Sequence, residues 1–190
     1  MFDTQGSNGN PVVNYEGVSK NVMAVGFQDK GRWMYTGGED CTVKIWDMRC
    51  RNLNCQKIFN ANSPVNSVVL NSSQQELIVG DQNGNIHIWS IRTDTSEQFN
   101  VEPGVSIQSV AVDNQGNRMA AITNKGSVHV WDLKTSDSGK TLVEHKGKIP
   151  AHARYGLKCK FSPDSSMLAT SSADQTTKLW RTNDLELITV

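Results

Sequence analysis

The stretch Gly37–Arg49, GGEDCTVKIWDMR, alternates apolar and polar side chains and then reaches a tryptophan and an aspartate. Val43 and Ile45 flank Lys44 in this stretch, and Trp46 follows directly. Alternation of period two is typical of a β-strand with two different faces. Three later stretches have the same form: DQNGNIHIWSIR, TNKGSVHVWDLK and SADQTTKLWRTN. The segment therefore repeats along the chain.

The repeat is measured most simply from its tryptophans. Trp46, Trp89, Trp131 and Trp180 lie 43, 42 and 49 residues apart. Aligned on them without gaps, each repeat shows two further short apolar runs upstream, with a polar turn between them. A fourth, weaker apolar run follows each tryptophan. The pattern predicts four short strands per repeat, and units of this size at a period of roughly 40 to 45 residues fit the blades of a propeller.

The tryptophan and the residue after it carry a resemblance to the WD-repeat family. The pair is Trp-Asp in two repeats, at Trp46 and Trp131, and is changed to Trp89-Ser90 and Trp180-Arg181 in the other two. The resemblance predicts an all-β fold, a WD-repeat β-propeller. A large aromatic side chain on the third strand would fill the space between two blades, and its N–H can still find a hydrogen-bond partner.

The resemblance also implies a hydrogen-bond network around each tryptophan. In the family it joins a Ser or Thr on the second strand, an Asp in the next turn and a His ahead of the first strand. The last repeat holds a full set, and the first repeat keeps two members but has Gly38 and Val18 at the other places. The structural residues predicted in this way are Trp46, Asp40, Trp89, Trp131, His152, Ser172, Asp174 and Trp180.

The boundaries of the repeats predict a partial propeller over residues 1–190. Residues 21–61, 62–103, 104–146 and 147–190 would be four complete blades, and residues 1–20 would be the end of a truncated preceding repeat. Met1-Phe2-Asp3 matches the end of a third strand, and residues 11–15 would form an orphan outer strand. By family resemblance the ring has seven blades, so we expect a fragment or truncated product whose terminal blades expose apolar faces.

Composition excludes several classes of function. The chain has 19 basic and 19 acidic residues and no net charge, so nothing predicts a nucleic-acid partner. No apolar run reaches the length of a membrane span, and the start MFDTQ does not resemble a signal peptide. The four cysteines have no metal-binding or disulfide spacing. Reduced thiols and a cytoplasmic location follow as predictions.

No candidate for catalysis or cofactor binding emerges from the pattern. His87 and His129 occupy the same strand position in successive repeats, where the other repeats have Lys44 and Lys178, so a metal site is not predicted. Gly139-Lys140-Thr141 lacks the upstream glycine of a phosphate-binding loop. No serine or cysteine stands in a nucleophile motif. We therefore expect a protein that is not an enzyme and that has no cofactor and no small-molecule substrate.

A closer resemblance rests on the runs GRWMYTGGEDCTVKIWDMR, ELIVGDQNGNIHIW and KIPAHARYGLKCKFSPDSSMLATSSADQTTKLW. They resemble the family of G-protein-beta-like subunits of target of rapamycin (TOR) kinase complexes, over essentially the whole chain. IPAHARY stands where most WD repeats have a Gly-His pair, and Asp81 stands where most have Ser or Thr. The resemblance implies a non-catalytic subunit that sits on the TOR-type kinase catalytic domain, with other complex subunits as partners, and supports kinase activity in nutrient and growth signalling.

The loops on one rim of the propeller are the predicted contact surface. They join each outer strand to the next inner strand and each second strand to the third. We expect contacts to a partner from Asn21, Glu39, Asp81, Gln82, Arg154 and Tyr155. Two alternatives stay open: a general WD-repeat peptide-binding adaptor, such as a ubiquitin-ligase substrate receptor, and a truncated product without stable partner binding.

Overall fold

The computed structural model describes residues 14–49, 55–136 and 140–190, and the chain forms sixteen strands there. The first two sheets contain β1 (Val22–Phe27), β2 (Trp33–Gly38), β3 (Thr42–Asp47) and β4 (Cys55–Asn60), then β5 (Val65–Leu70), β6 (Glu76–Asp81), β7 (Asn85–Ser90) and β8 (Thr95–Asn100). The next two contain β9 (Ile107–Val112), β10 (Arg118–Thr123), β11 (Ser127–Thr135) and β12 (Thr141–Pro150), then β13 (Gly156–Phe161), β14 (Met167–Ser172), β15 (Thr177–Arg181) and β16 (Leu187–Thr189).

Each group of four consecutive strands forms one antiparallel sheet in chain order. The predicted all-β propeller fold is therefore confirmed as four four-stranded sheets. Each of the four aligned tryptophans lies on the third strand of its sheet, as the period-two pattern predicts. The predicted orphan strand over residues 11–15 falls largely outside the described residues, and Asn14 and Tyr15 are not in a strand.

The core lies between neighbouring sheets. Tyr35, Val43 and Ile45 of the first sheet pack against the face of the second sheet that carries Leu77 and Trp89. The second and third sheets, and the third and fourth, meet in the same way. The innermost strands contact each other in sequence: β1 with β5, β5 with β9, and β9 with β13. This repeated face-to-face burial holds the loops at each end of the sheets in fixed positions.

The described residues contain no helix long and apolar enough to cross a membrane. The three cysteines among them, Cys41, Cys55 and Cys159, are free thiols. Cys159 is buried between the third and fourth sheets, and burial raises the pKa of its thiol to about 12. This thiol is therefore protonated at neutral pH and serves as a small apolar side chain.

Candidate partner-binding rim

One edge of the four sheets carries a repeated pair of loops. In every sheet the residue after the second strand donates its backbone N–H to the carbonyl of the residue just before the first strand. The four bonds are Glu39 to Asn21 at 3.0 Å, Gln82 to Pro64 at 2.9 Å, Asn124 to Ser106 at 2.9 Å and Ala173 to Tyr155 at 3.1 Å. We call this edge the paired-loop rim; it comprises residues 18–21 with 39–41, 61–64 with 82–84, 101–106 with 124–126, and 151–155 with 173–176.

Five of the six predicted contact residues have accessible surface on the paired-loop rim. Asn21, Gln82, Arg154 and Tyr155 are exposed, and Glu39 is half-buried. Tyr155 is 54% exposed although its backbone carbonyl accepts a hydrogen bond from the backbone N–H of Ala173. The fold therefore brings these five side chains to one edge of the molecule. Their role as contact residues stays a prediction.

The placement of Asp81 corrects the prediction that it contacts a partner directly. Its side chain has no exposed surface, and its Oδ2 lies 3.0 Å from Nε2 of buried His87. Oδ1 accepts the backbone N–H groups of Asn83 and Asn85 at 2.9 and 2.8 Å. Burial raises the pKa of Asp81, but hydrogen bonds from His87 and Asn85 outweigh it, so the pKa lies below its ordinary value. Asp81 therefore holds the second sheet together instead of facing outward.

The last sheet contains a hydrogen-bond chain from tryptophan to aspartate. Thr170 takes the place in it that was predicted for Ser172. Trp180 Nε1 donates to Thr170 Oγ1 at 2.9 Å, and the same hydroxyl lies 2.9 Å from His152 Nε2. His152 Nδ1 lies 2.9 Å from Asp174 Oδ2. A hydrogen bond from the Thr176 hydroxyl is the main reason that the pKa of Asp174 is well below its usual range, and His152 adds to the effect.

Ser172 does not hold the position in the hydrogen-bond chain that the family resemblance predicts for it. Its hydroxyl donates to the carbonyl of Tyr155 at 2.9 Å and accepts the backbone N–H of Asp174 at 3.1 Å. Ser172 and Thr170 are two residues apart on one strand, so their side chains lie on the same face. Ser172 instead tethers the rim loop to the sheet, and Thr170 joins the tryptophan to the histidine.

The first sheet has a shorter version of this arrangement. Trp46 Nε1 donates to Thr36 Oγ1 at 3.0 Å, the same strand position as Thr170. Asp40 pairs with buried Lys44 at 2.7 Å and accepts the hydroxyl of Thr42 at 2.7 Å. Burial raises the pKa of Asp40, but these hydrogen bonds outweigh it and lower the pKa overall. The sequence signal for Thr36 was present, because it stands ten residues before its tryptophan, as Thr170 does.

The second and third sheets lack this threonine, so the indole N–H of their tryptophans cannot donate to it. Val79 and Ala121 stand ten residues before Trp89 and Trp131. Trp89 Nε1 donates instead to Asp94 Oδ1, which lies just beyond its own strand, at 2.9 Å. Trp131 is buried against three rings, at Phe99, His129 and His145. Among the described residues its N–H has no hydrogen-bond acceptor.

In the part of the chain that the structure describes, no three His, Cys, Asp or Glu residues are grouped in a way that could hold a metal ion. His87 is occupied by Asp81, and His129 faces two other rings. What the paired-loop rim offers is a row of exposed polar and aromatic side chains on tethered loops.

Four antiparallel four-stranded sheets with a tryptophan on each third strand define a WD-type β-propeller. A β-propeller family model described as Nucleolar protein 10-like, N-terminal domain, matches residues 7–190. The chain belongs to this family of β-propeller domains.

Several relatives with curated names are similar along the whole chain. The chain is 54% identical over 191 residues to a Bos taurus protein named target of rapamycin complex subunit LST8. It is 42% identical to a Drosophila melanogaster protein named LST8 homolog, and 34% identical to the Schizosaccharomyces pombe protein named target of rapamycin complex subunit wat1. These alignments cover 97% to 100% of this chain. The chain spans 58% of the length of the bovine relative and 59% of the other two.

A solved structure shares the fold at low sequence identity. A chain in the crystal structure of a mitotic checkpoint complex superposes with a TM-score of 0.75 and 24% identity. The match covers 88% of this chain and 53% of the other. At this identity the likeness concerns the propeller fold alone.

Proposed function

We propose that the chain is a non-catalytic scaffold subunit of a TOR kinase complex. The observation that carries this proposal is the 54% identity along the whole chain to a protein named as a subunit of that complex. The second support is geometric. The accessible side chains of the rim lie on loops that are joined in every sheet by the same backbone hydrogen bond. A rigid surface of this kind suits a subunit that positions other proteins.

The docking partner in this proposal is the kinase catalytic domain, and the paired-loop rim is the surface that meets it. Arg154 and Tyr155 would be its centre. Their carbonyls accept the Ser172 hydroxyl at 3.3 and 2.9 Å, so the backbone of both residues is held while both side chains are exposed. Arginine and tyrosine are enriched at interface hot spots, and pre-organised loops lose less entropy on binding.

The rim would act on the kinase by binding one of its conformations better than the others. A subunit that contacts the active arrangement of the catalytic domain raises the population of that arrangement without taking part in the chemistry. Other subunits of the complex would meet the remaining surface. We place this assembly in the cytoplasm, since the three described cysteines are free thiols, as a reducing compartment favours.

The test is co-purification of TOR kinase with the tagged chain from cells. Arg154→Ala with Tyr155→Ala should reduce recovery of the kinase about tenfold or more, as the loss of a hot spot does. The matched control is Lys30→Ala with Arg32→Ala, two exposed residues of the β1–β2 turn at the opposite end of the first sheet. Kinase assays on the recovered complexes report whether activity per kinase molecule falls as well.

Equal recovery by the rim variant and by the wild-type chain would contradict the docking surface. Recovery of no TOR kinase by either would contradict the proposal as a whole.

A further inference from the structure

A cleft of about 510 Å³ opens between the second and third sheets. The end of β8 forms one wall, and β11 with β12 forms the other. The side chains that line it are mixed aromatic, apolar and basic: Phe99, Val101, His129, Trp131, Val143 and Lys148, with Asn100 and His145 at its edge. The volume falls in the range of roughly 300 to 1,000 Å³ that small-molecule sites occupy.

His129 is the first sign that this cleft takes a ligand. The side chain is 7% exposed, and its Nε2 has no hydrogen-bond partner. The nearest carboxylate oxygen, on Glu102, is 3.7 Å away, beyond hydrogen-bond length. An unpartnered polar atom at this depth costs free energy unless something supplies its bond.

The same strand position is satisfied in each of the other sheets. Lys44 pairs with Asp40, and His87 pairs with Asp81. Lys178 Nζ donates to a backbone carbonyl at 2.6 Å. His129 is thus the exception among four equivalent positions, and it is the one that lines the cleft.

Trp131 is the second sign, and it is independent of the first. The other three aligned tryptophans donate their indole N–H to a threonine or an aspartate. Trp131 has Ala121 where two of them have threonine, and its N–H has no acceptor among the described residues. The cleft therefore combines an unused donor on Trp131 with an unused ring nitrogen on His129.

The rest of the lining indicates which kind of ligand fits. Phe99 and Trp131 both line the cleft and pack edge to face, with ring centroids 5.7 Å apart. Lys148 and Lys125 both reach the carboxylate of Glu102, at 2.8 and 3.4 Å, so two cations face one anion. An apolar planar ligand would pack against these two rings, and a negative group would accept the two unused donors and pair with Lys148.

We propose that this cleft binds a small aromatic carboxylate. The ring of the ligand lies against Phe99 and Trp131. Its carboxylate accepts the indole N–H of Trp131 and the Nε2 hydrogen of His129, and pairs with Lys148. The cleft adjoins the rim loop of residues 101–106, which supplies Val101 to its lining. The ligand test below uses the chain without the kinase, so its outcome does not depend on the proposed docking surface.

The experiment follows the indole N–H signals of the whole 190-residue chain by NMR while 3-phenylpropionate is added. The signal absent from Trp131→Phe identifies Trp131, and the remaining indole signals report whether that variant is folded. We expect a saturable shift of the Trp131 signal. Lys148→Met should weaken binding about tenfold, as loss of a charge-assisted contact does. The matched control Lys160→Met removes an exposed lysine of the last sheet and should leave binding unchanged.

The uncharged analogue 3-phenylpropionamide separates an anion site from a merely aromatic one. We expect it to bind about tenfold more weakly than the acid. Three results would overturn the proposal: no saturable shift of the Trp131 signal up to about 10 mM ligand, equal binding of acid and amide, or equal effects of Lys148→Met and Lys160→Met.

Discussion

At the scale of single residues, one hydroxyl connects the tryptophan and the histidine of the last sheet. Thr170 Oγ1 accepts the indole N–H of Trp180 and also lies within hydrogen-bond distance of His152, and Thr170 is 1% exposed. Removal of a buried hydroxyl leaves its two hydrogen-bond partners unsatisfied, which lowers the stability of the fold. Both ring nitrogens would then be buried without that partner.

Thr170→Val should therefore lower the free energy of unfolding by about 1 to 3 kcal/mol, since the shape is kept and the hydroxyl is lost. The control is Thr177→Val, an exposed position on the next strand, for which we expect a change within about 0.5 kcal/mol. Urea denaturation of both variants measures the difference. Equal stabilities of the two variants would contradict the hydrogen-bond chain.

Asp81 makes the corresponding prediction for the second sheet. Asp81→Ala leaves buried His87 without its hydrogen-bond partner, and we expect a loss of about 1 to 3 kcal/mol in the free energy of unfolding. Asp132→Ala is the control, because that side chain is 41% exposed and its ion pair with Arg118 is long, at 3.6 Å. Its expected cost is below about 1 kcal/mol. Urea denaturation at pH 7 compares the two.

The pH dependence of Asp81 has a definite sign. Its pKa is below the ordinary 3.8 in the folded chain, because hydrogen bonds from His87 and Asn85 outweigh burial. Its stabilisation is therefore complete above pH 3.8 and is lost as the pH falls below that value, where the unfolded carboxyl binds its proton first. Asp81→Asn should lose less stability than the wild type when urea denaturation is repeated from pH 5 down to pH 3. An identical loss would contradict this ionisation.

The residue scale is also where sequence reasoning was least complete. The family resemblance implies a Ser or Thr on the second strand and so predicted Ser172. Thr170, two residues earlier, lies on the same face of that strand, and alternation cannot choose between them. Asp81 was predicted on the rim because the repeat pattern assigns it to the loop between the second and third strands, whereas it is the last residue of β6. Its burial follows from the pairing with His87, and a period-two pattern contains no distance between side chains. The spacing of ten residues from threonine to tryptophan could have identified both Thr36 and Thr170.

At the scale of strands and sheets, close approach at one glycine shows how tightly the second and third sheets pack. A Cβ atom on Gly80 of β6 would lie 2.5 Å from Cγ2 of Ile107 and 2.8 Å from Cγ2 of Val110. Such distances require the sheets to move apart. Glycine therefore permits this packing because it has no side chain.

Gly80→Ala should lower the free energy of unfolding by about 1 to 3 kcal/mol through overpacking. The control is Gly147→Ala, because a Cβ there would meet only the far end of Leu185 at 3.0 Å. Thermal unfolding of both variants would show the difference. A larger loss of stability for Gly147→Ala would contradict this account of the packing.

Strand positions were the part of the fold that the sequence predicted best, because alternation and the aligned tryptophans both report them. The strands after the tryptophans were less clear. The third sheet shows why. Its strands β11 and β12 extend over nine and ten residues, so part of the longer interval between Trp131 and Trp180 lies in this hairpin. A longer hairpin with polar side chains near its tip has no sharp sequence signal, since its outer strand is largely exposed.

At the scale of the whole molecule, the described residues leave an apolar face of the first sheet uncovered. Val25 and Phe27 on β1 are 62% and 54% exposed and lie on the same side of the strand. The inner strands of the other sheets bury side chains against a neighbour. An uncovered apolar face of this kind favours contact with other apolar surfaces.

Val25→Thr combined with Phe27→Thr should therefore reduce binding of the dye ANS by the folded chain about twofold or more, because the dye reports exposed apolar surface. Leu142→Thr serves as the control, since that side chain is 51% exposed on the outer strand of the third sheet. A drop of the same size in the control would contradict the assignment of the dye-binding surface to the first sheet.

The most direct measurement of the central claim is hydrogen exchange of the chain alone and in complex with the TOR kinase catalytic domain. We predict slower exchange in the paired-loop rim, above all in residues 18–21, 39–41, 82–84 and 151–155, and unchanged exchange in the turns at the opposite edge, residues 28–32, 71–75, 113–117 and 162–166. Protection of the opposite turns, or no change at the rim of a chain that is bound, would contradict the proposed docking surface.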